Sequence, residues 1–190
     1  MRTIVAFGDS WTSGLNKLDD KRYYVTSFVE HISTQLGWDL INYGVDGNSN
    51  PAIMSQVLSH EFKPNEFALI TWSGSTRDWD WDSSDMMFKK PSWVGGRQHK
   101  EHSQCYYMSE VSIRATENYL TSNSISYIMA SAFDENSTIR DEEWEHWHKG
   151  TLKDFCEEDL EVCQHPNADG HKKIADGLIN SVLYRSTEYV

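Results

Sequence analysis

Short apolar runs alternate along this chain with segments in which apolar residues recur at helical spacing. The run at residues 3–7 is apolar and β-branched and ends at Gly8-Asp9, a pattern that predicts a buried strand. Three similar runs predict further strands at residues 39–43, 67–72 and 125–130. Apolar residues three and four apart predict helices at 24–36, from Asn50 as cap and Pro51 onward, at 109–120 and at 166–183.

This alternation predicts the fold class. Near-continuous apolar strands separated by helices are typical of a parallel sheet with helices on both faces, so we expect an α/β protein built as a three-layer α/β/α sandwich with a short sheet. Ligands of such sheets bind beyond the carboxyl ends of the strands. The loops after the first three strands, at residues 8–10, 44–50 and 73–78, are therefore the first candidates for a site.

Two long stretches interrupt the alternation, at about residues 73–103 and 131–164. Both lack a sustained period, and the second has room for a short helix around 141–148. Irregular connections of this length are usually binding loops or lids. A chain of 190 residues suits one well-buried domain, so we expect a single domain at 1–190 that carries these stretches as insertions.

Charge and hydropathy exclude several classes of partner. Seventeen Lys and Arg against 29 Asp and Glu give a net charge of −12, and no basic stripe offsets it, so a nucleic-acid partner is not expected. The apolar runs are far below the roughly 18 residues of a membrane span. Because the first ten residues also lack the pattern of a signal peptide, we expect a cytoplasmic protein without a membrane partner.

Cysteine and histidine spacing points to no metal or cofactor. Three cysteines without a Cys-x-x-Cys pair imply neither a disulfide framework nor a zinc site. We expect free thiols in a reducing compartment, with an approach of Cys156 to Cys163 as the alternative. No converging metal-ligand spacing links the histidines of the irregular stretches, which are His99, His102, His146 and His148.

Ser10, Gly47 and His165 are the candidates for chemistry. Ser10 follows the first strand, where Gly8 permits a tight turn that would raise the hydroxyl above the sheet edge. A serine is a poor nucleophile until a base takes its proton, and His165 lies just before the last predicted helix. Gly47 could present a bare N–H to an oxyanion. The alternatives are a capping serine, a histidine that only starts a helix, and a glycine needed only for a positive φ.

Three blocks resemble those of one enzyme family. Residues 5–10 (VAFGDS), 42–49 (NYGVDGNS) and 165–171 (HPNADGH) resemble, in order, the first, second and last blocks of the SGNH/GDSL hydrolases. The resemblance implies a flavodoxin-like SGNH hydrolase fold and a serine esterase. It makes Ser10 the nucleophile, the N–H groups of Ser10 and Gly47 the oxyanion hole, and His165 the base. His171 is expected to face solvent without a role.

Two positions depart from the family pattern. The third family block is Gly-x-Asn-Asp, and here Thr76 falls where its oxyanion-binding Asn is expected. A hydroxyl donates with shorter reach, and Arg77 beside it would compensate by its charge. The family acid lies three residues before the histidine, where this chain has a valine. Asp159 or Glu161 would then orient His165 from a shifted loop, unless a Ser-His pair works without an acid.

The expected substrate follows from aromatic residues. Tryptophans after the third strand, among them Trp72 and Trp79, would stack on sugar rings, with Arg77 and Asn48 as further substrate contacts. Aromatic filler in the small cores of long lids and a turn-forming Asn48 are the alternatives. We therefore expect a small-molecule or glycan partner carrying an O-acyl or O-acetyl ester, encoded by a bacterium or a phage. The alternative is an impaired SGNH-fold module for glycan binding or structure.

Overall fold

A computed structural model gives the fold over residues 1–18, 21–74, 80–82, 87–89, 100–133, 146–161 and 164–187. In chain order the elements of these ranges are β1 (Thr3–Phe7), α1 (Ser10–Ser13), β2 (Leu15–Leu18), β3 (Lys21–Tyr24), α2 (Phe28–Leu36), β4 (Asp39–Asn42), α3 (Asn50–Ser59), β5 (Glu66–Trp72), β6 (Asp80–Asp82), β7 (Met87–Lys89), α4 (Lys100–Ser122), β8 (Tyr127–Ser131), β9 (Trp147–Thr151), α5 (Leu152–Cys156), a 3₁₀ turn (Glu157–Asp159) and α6 (Ala168–Arg185).

The central sheet is parallel and doubly wound. Its strands, as far as the structure describes them, lie in the order β4-β1-β5-β8-β9, and each neighbouring pair is parallel. If only the five strands of this sheet are numbered in chain order, their order in space is 2-1-3-4-5, which is the order of flavodoxin-like folds. The direction of winding reverses between β1 and β5. The predicted fold class is confirmed. The loops after β1 and β5 meet at the point where such folds bind ligands.

Alternate residues of each strand supply two separate cores. Ile4 and Ala6 of β1 pack with α2 and α6 on one face of the sheet, whereas Val5 and Phe7 pack with α3 and α4 on the other. The four side chains are completely buried. Because successive strand residues point to opposite faces, an unbroken apolar run is what a sheet covered on both sides requires.

The helix predicted at 24–36 begins later than its periodicity indicates. Ser27 caps α2 in a capping box: its Oγ accepts from the Glu30 N–H at 3.4 Å, and Glu30 Oε2 accepts from the Ser27 N–H at 2.6 Å. This reciprocal pair fixes the first helical residue at Phe28. Tyr24, the first residue of the predicted helix, instead ends β3 of the β2–β3 hairpin, which the sequence pattern did not predict.

The second irregular stretch contains more regular structure than predicted. A helix around 141–148 is wrong where the structure describes this stretch, because Trp147 and His148 lie in β9, the fifth strand of the sheet. The helix predicted to start at 109 begins at Lys100. Residues 80–82 and 87–89 of the first stretch pair as a small antiparallel hairpin.

The thiol of Cys156 lies in the core on the α2–α6 side of the sheet. Cys156 is a buried free thiol of α5, and burial raises its pKa to about 12, so it is not a reactive thiolate near neutral pH. Cys163 lies outside the described residues. In the part of the chain that the structure describes, no helix combines the length and the apolar character needed to cross a membrane.

Candidate active site

Ser10 lies at the carboxyl end of β1, where the chain turns into α1. Asp9 caps this short helix, since its Oδ1 accepts from the Trp11 N–H at 3.0 Å. At Gly8 a Cβ would lie 2.0 Å from Thr12 Oγ1, so no other residue fits against the turn. Ser10 is nearly fully buried, and no hydrogen bond of the described residues uses its backbone N–H.

His165 is held by a tight turn that precedes α6. The Gln164 N–H donates to the Glu161 carbonyl at 2.8 Å, and the Glu161 N–H donates to the His165 carbonyl at 2.8 Å. Gln164 adopts a positive φ of 61°, a conformation that costs a non-glycine residue about 1–2 kcal/mol. The backbone of the turn that positions His165 is therefore strained at Gln164.

Ser10 and His165 meet at hydrogen-bond distance. Ser10 Oγ and His165 Nε2 lie 2.7 Å apart, although 155 residues separate them in the sequence. This is the separation expected when the imidazole is to take the hydroxyl proton. The geometry allows Ser10 to act as a nucleophile and His165 as its base.

The loop that carries Gly47 is fastened to the end of β1. The Val45 N–H and Asn48 Nδ2 both donate to the Gly8 carbonyl at 3.1 Å. Gly47 has a φ of 75°, and no atom lies within 4 Å of where its Cβ would be, so the backbone conformation alone explains a glycine here. Asn48 Nδ2 also donates to Gln56 Oε1 at 3.0 Å. The Asn48 amide nitrogen thus holds the loop, which favours the turn alternative, and a substrate contact of Asn48 stays a prediction.

A buried polar network ties the loops after β1, β4 and β5 together. Ser73 Oγ donates to Asp9 Oδ2 at 2.8 Å, and the Ser73 N–H donates to Asn50 Oδ1 at 2.9 Å. Asn50 Nδ2 in turn donates to the Ser73 carbonyl and to Ser109 Oγ. The sequence analysis treated Asn50 only as a helix cap, yet Ser49 precedes α3 instead and Asn50 is its first residue. Nothing local to Asn50 in the sequence indicates partners 23 and 59 residues away.

Within the described residues, neither predicted acid is hydrogen-bonded to the His165 ring. The Asp159 carboxylate pairs with Lys173 Nζ at 2.5 Å, and this hydrogen bond raises the pKa of Lys173. Glu161 supports the turn through its main chain. The hydrogen bond that the structure gives the Asp159 carboxylate is to Lys173, and an orienting role of Asp159 or Glu161 towards His165 stays a prediction.

The tryptophan at the end of β5 belongs to a core. Trp72 is completely buried among Phe7, Ile113 and Met129 on the α3–α4 side of the sheet. A ring without exposed surface cannot stack on a sugar, so the substrate-stacking interpretation of Trp72 is wrong. Trp72 belongs to the main core of the sheet, not to the small core of a lid that the alternative expected. The other expected residues of this region, Thr76, Arg77 and Trp79, lie outside the described residues.

His171 is buried, not solvent-facing as expected. It is fully enclosed between α6 and α2, and its Nδ1 accepts from the Phe28 N–H at 3.2 Å. Burial, helped by the nearby His31 and His165, lowers its pKa to about 4, so the ring is neutral near pH 7. His171 therefore caps the start of α2 from another helix.

No metal centre accompanies this arrangement in the residues that the structure describes. Within them no three His, Cys, Asp or Glu side chains lie close enough together to hold an ion. The chemistry that the described site can perform is that of a hydroxyl, an imidazole and backbone N–H groups.

Comparison with known proteins places the fold. No family model and no curated protein sequence matches the chain. A carbohydrate acetylesterase family member from Sinorhizobium meliloti has a TM-score of 0.63 at 14% identity, over 98% of this chain and 99% of that one. A lipolytic G-D-S-L family protein from Veillonella parvula has a TM-score of 0.59 at 16% identity, over 95% and 97%. A psychrotrophic esterase from Pseudoalteromonas sp. has a TM-score of 0.60 at 12% identity, over 97% and 98%. At such identities the likeness concerns the fold.

Proposed function

We propose that this chain, which has the fold of the SGNH/GDSL hydrolases, is a serine esterase. The observation that carries the proposal is the 2.7 Å separation of Ser10 Oγ and His165 Nε2 at the carboxyl edge of the sheet. It is supported by solved structures of the same fold that are described as esterases and lipolytic proteins.

In the acylation half-reaction Ser10 Oγ attacks the ester carbonyl carbon while His165 Nε2 takes the hydroxyl proton. The carbonyl oxygen becomes an oxyanion, which the N–H groups of Ser10 and Gly47 stabilise. When the tetrahedral intermediate collapses, the C–O bond to the alcohol breaks and His165 returns the proton to the leaving oxygen. An acyl ester on Ser10 remains.

Deacylation repeats these steps with water. His165 takes a proton from a water molecule, the water oxygen attacks the acyl carbon, and the proton then returns to Ser10 Oγ. The products are a carboxylic acid and the free enzyme. His165 thus serves as base in both halves, and its ring must stay within reach of the same point above Ser10 throughout.

The substrate class we propose is a small O-acyl ester on a carbohydrate, with acetate as the acyl group. Support comes from the carbohydrate acetylesterase of Sinorhizobium meliloti and from an acetyl xylan esterase of Butyrivibrio proteoclasticus, which is 11% identical with a TM-score of 0.61 over 97% of this chain and 64% of that one. Trp72 gives no support to a sugar substrate, because it is a core residue.

Labelling of Ser10 by a fluorophosphonate, located by peptide mass spectrometry, tests the reaction. We expect one label on Ser10, no label in Ser10→Ala, and labelling slowed by about 10²–10⁴-fold in His165→Gln, since a general base contributes that much. Ser33→Ala is the matched control, because its hydroxyl bonds only to the nearby Trp38 carbonyl at 2.7 Å.

Hydrolysis of acetylated xylo-oligosaccharides and of p-nitrophenyl acetate then separates the substrate class from the chemistry. A label on Ser10 with turnover of the aryl ester alone would leave the esterase standing and remove the carbohydrate substrate. A folded protein that is neither labelled nor active on either ester would instead be an impaired module.

A further inference from the structure

Residues 10–16, which carry the proposed nucleophile, contact residues 165–166 at two points. Ser10 and Asn16 lie six residues apart, joined by α1 and the start of the β2–β3 hairpin. Ser10 Oγ lies 2.7 Å from His165 Nε2, and Asn16 Nδ2 donates to the carbonyl of the next residue, Pro166, at 3.1 Å. Asn16, near the start of the β2–β3 hairpin, therefore forms a second link between the segment that carries Ser10 and the segment that carries His165.

The second link is made from buried groups. Asn16 is completely buried, and Pro166 is buried as well. Proline has no N–H, so its carbonyl is the main-chain group by which a neighbour can hold it. An amide buried beside this carbonyl donates without competition from solvent, and breaking the bond leaves a buried acceptor unsatisfied.

We propose that Asn16 is a positioning residue for the His165 base. This inference rests on the proposed esterase function. The hydrogen bonds of Glu161 to His165 and of Asn167 to Asp159 shape the turn from within. Asn16 instead fixes the turn relative to the segment that carries Ser10, and so sets the distance between hydroxyl and imidazole.

The expected size of the effect follows from how steeply proton transfer depends on geometry. A displacement of about 1 Å at a reacting pair can cost about 100-fold in rate. Loss of the Asn16 bond leaves the turn with its own hydrogen bonds, so the shift stays small. We expect Asn16→Ala to lower kcat by about 10–100-fold and to leave KM unchanged.

The other end of the hairpin offers an internal control. Arg22 pairs with Asp46 at 3.0 Å, but the Arg22 side chain is 64% exposed. Exposed ion pairs of this kind contribute little. Arg22→Ala disturbs the same hairpin without touching the turn that holds His165. Because Asp46 precedes Gly47 but the lost ion pair is exposed, we expect a fall in kcat well below that of Asn16→Ala.

A double-mutant cycle on kcat tests the proposal, with every rate divided by the folded fraction. If Asn16 acts through His165, Asn16→Ala has no further effect on the rate in the His165→Gln background. Asn65→Ala is the matched remote control, because its amide likewise donates to a main-chain carbonyl, that of Met1, at 2.9 Å. Where Asn16→Ala fails to fold, Asn16→Ser, which keeps a shorter donor, takes its place in the cycle.

Equal losses in both backgrounds would overturn the proposal and leave Asn16 a structural residue, as would a wild-type kcat in the Asn16 variants. An increase in KM alone would overturn it as well. Failure of the proposed function is distinguishable, because then the wild-type protein neither hydrolyses p-nitrophenyl acetate nor labels at Ser10.

Discussion

The two histidines of the segment HPNADGH occupy opposite environments six residues apart. His165 lies in the turn before α6, partly exposed, with its Nε2 2.7 Å from Ser10 Oγ. His171 lies in the first turns of α6, fully buried, with its Nδ1 on the Phe28 N–H. The same side chain thus faces a reactive hydroxyl in one place and the start of a helix in the other.

Under the proposed function, one sequence block serves both chemistry and architecture. As the proposed base, His165 needs access to a substrate and freedom to gain and lose a proton. His171 needs neither, since burial keeps it neutral and its acceptor nitrogen serves α2. The block therefore fastens α6 to α2 with one histidine and presents the other at the sheet edge.

The largest expected effect is a loss of kcat, and it distinguishes His165 from His171. We expect His165→Gln to lower kcat by about 10²–10⁴-fold, because a general base contributes that much. Its Tm should stay close to wild type, since the side chain is only partly buried. Ester hydrolysis and thermal unfolding of the same preparation measure both. A His165→Gln enzyme with an unchanged rate would contradict the assignment of the base.

The next effect is on stability and belongs to His171. We expect His171→Ala to lower the free energy of unfolding by about 3 kcal/mol, since it leaves a cavity and a buried N–H without its acceptor. His171→Asn is the matched control, because its Oδ1 can take the place of Nδ1 and should recover part of the loss. Urea unfolding measures both variants. Equal stability of His171→Ala and wild type would show that the contact with Phe28 is not a cap.

The burial of His171 predicts a pH dependence of about 2 kcal/mol in the free energy of unfolding. The pKa of His171 is lowered to about 4 in the folded protein, so between pH 6.5 and pH 4 the unfolded chain holds a proton that the folded one lacks. The contribution of the neutral His171 ring to the free energy of unfolding is therefore complete above pH 6.5 and is lost as the pH falls towards 4. We expect this loss between pH 7.5 and pH 5 to be absent in His171→Asn, as urea unfolding at both pH values would show. Parallel losses in the two proteins would refute it.

The smallest expected effect concerns the acid beside the turn. Because Asp159 pairs with Lys173, we expect Asp159→Asn to retain the wild-type kcat. Glu161→Gln, assayed beside it, tests the remaining carboxylate. A rate loss in Asp159→Asn comparable to that of His165→Gln would make Asp159 a member of the catalytic group after all.

Much of the fold could be predicted because apolar periodicity reports burial directly. The first strand is completely buried on both faces, and a run such as TIVAF has few other uses. β9 was missed because WHKGT contains little of this pattern and joins the sheet only at its edge. The β2–β3 hairpin was missed because its strands, LNKL and KRYY, contain too few apolar residues to show the alternation of a half-buried strand.

The residue types of the candidate site could be predicted from the sequence, but the hydrogen-bond partners of the surrounding residues could not. Ser10 and His165 stand in recognisable blocks, but the partners of Asp159 and Asn16 lie 14 and 150 residues away and depend on how α6 and the hairpin pack. His171 was misjudged because six residues along a helix indicate a different face, yet α2 closes over that face too.

The 155 residues between Ser10 and His165 also order events during synthesis. At about 5–20 residues per second a ribosome takes roughly 8–30 s to translate that interval. During that time the growing chain carries Ser10 without His165. Under the proposed function, acylation of Ser10 therefore begins only after the segment before α6 has been made and has reached the end of β1.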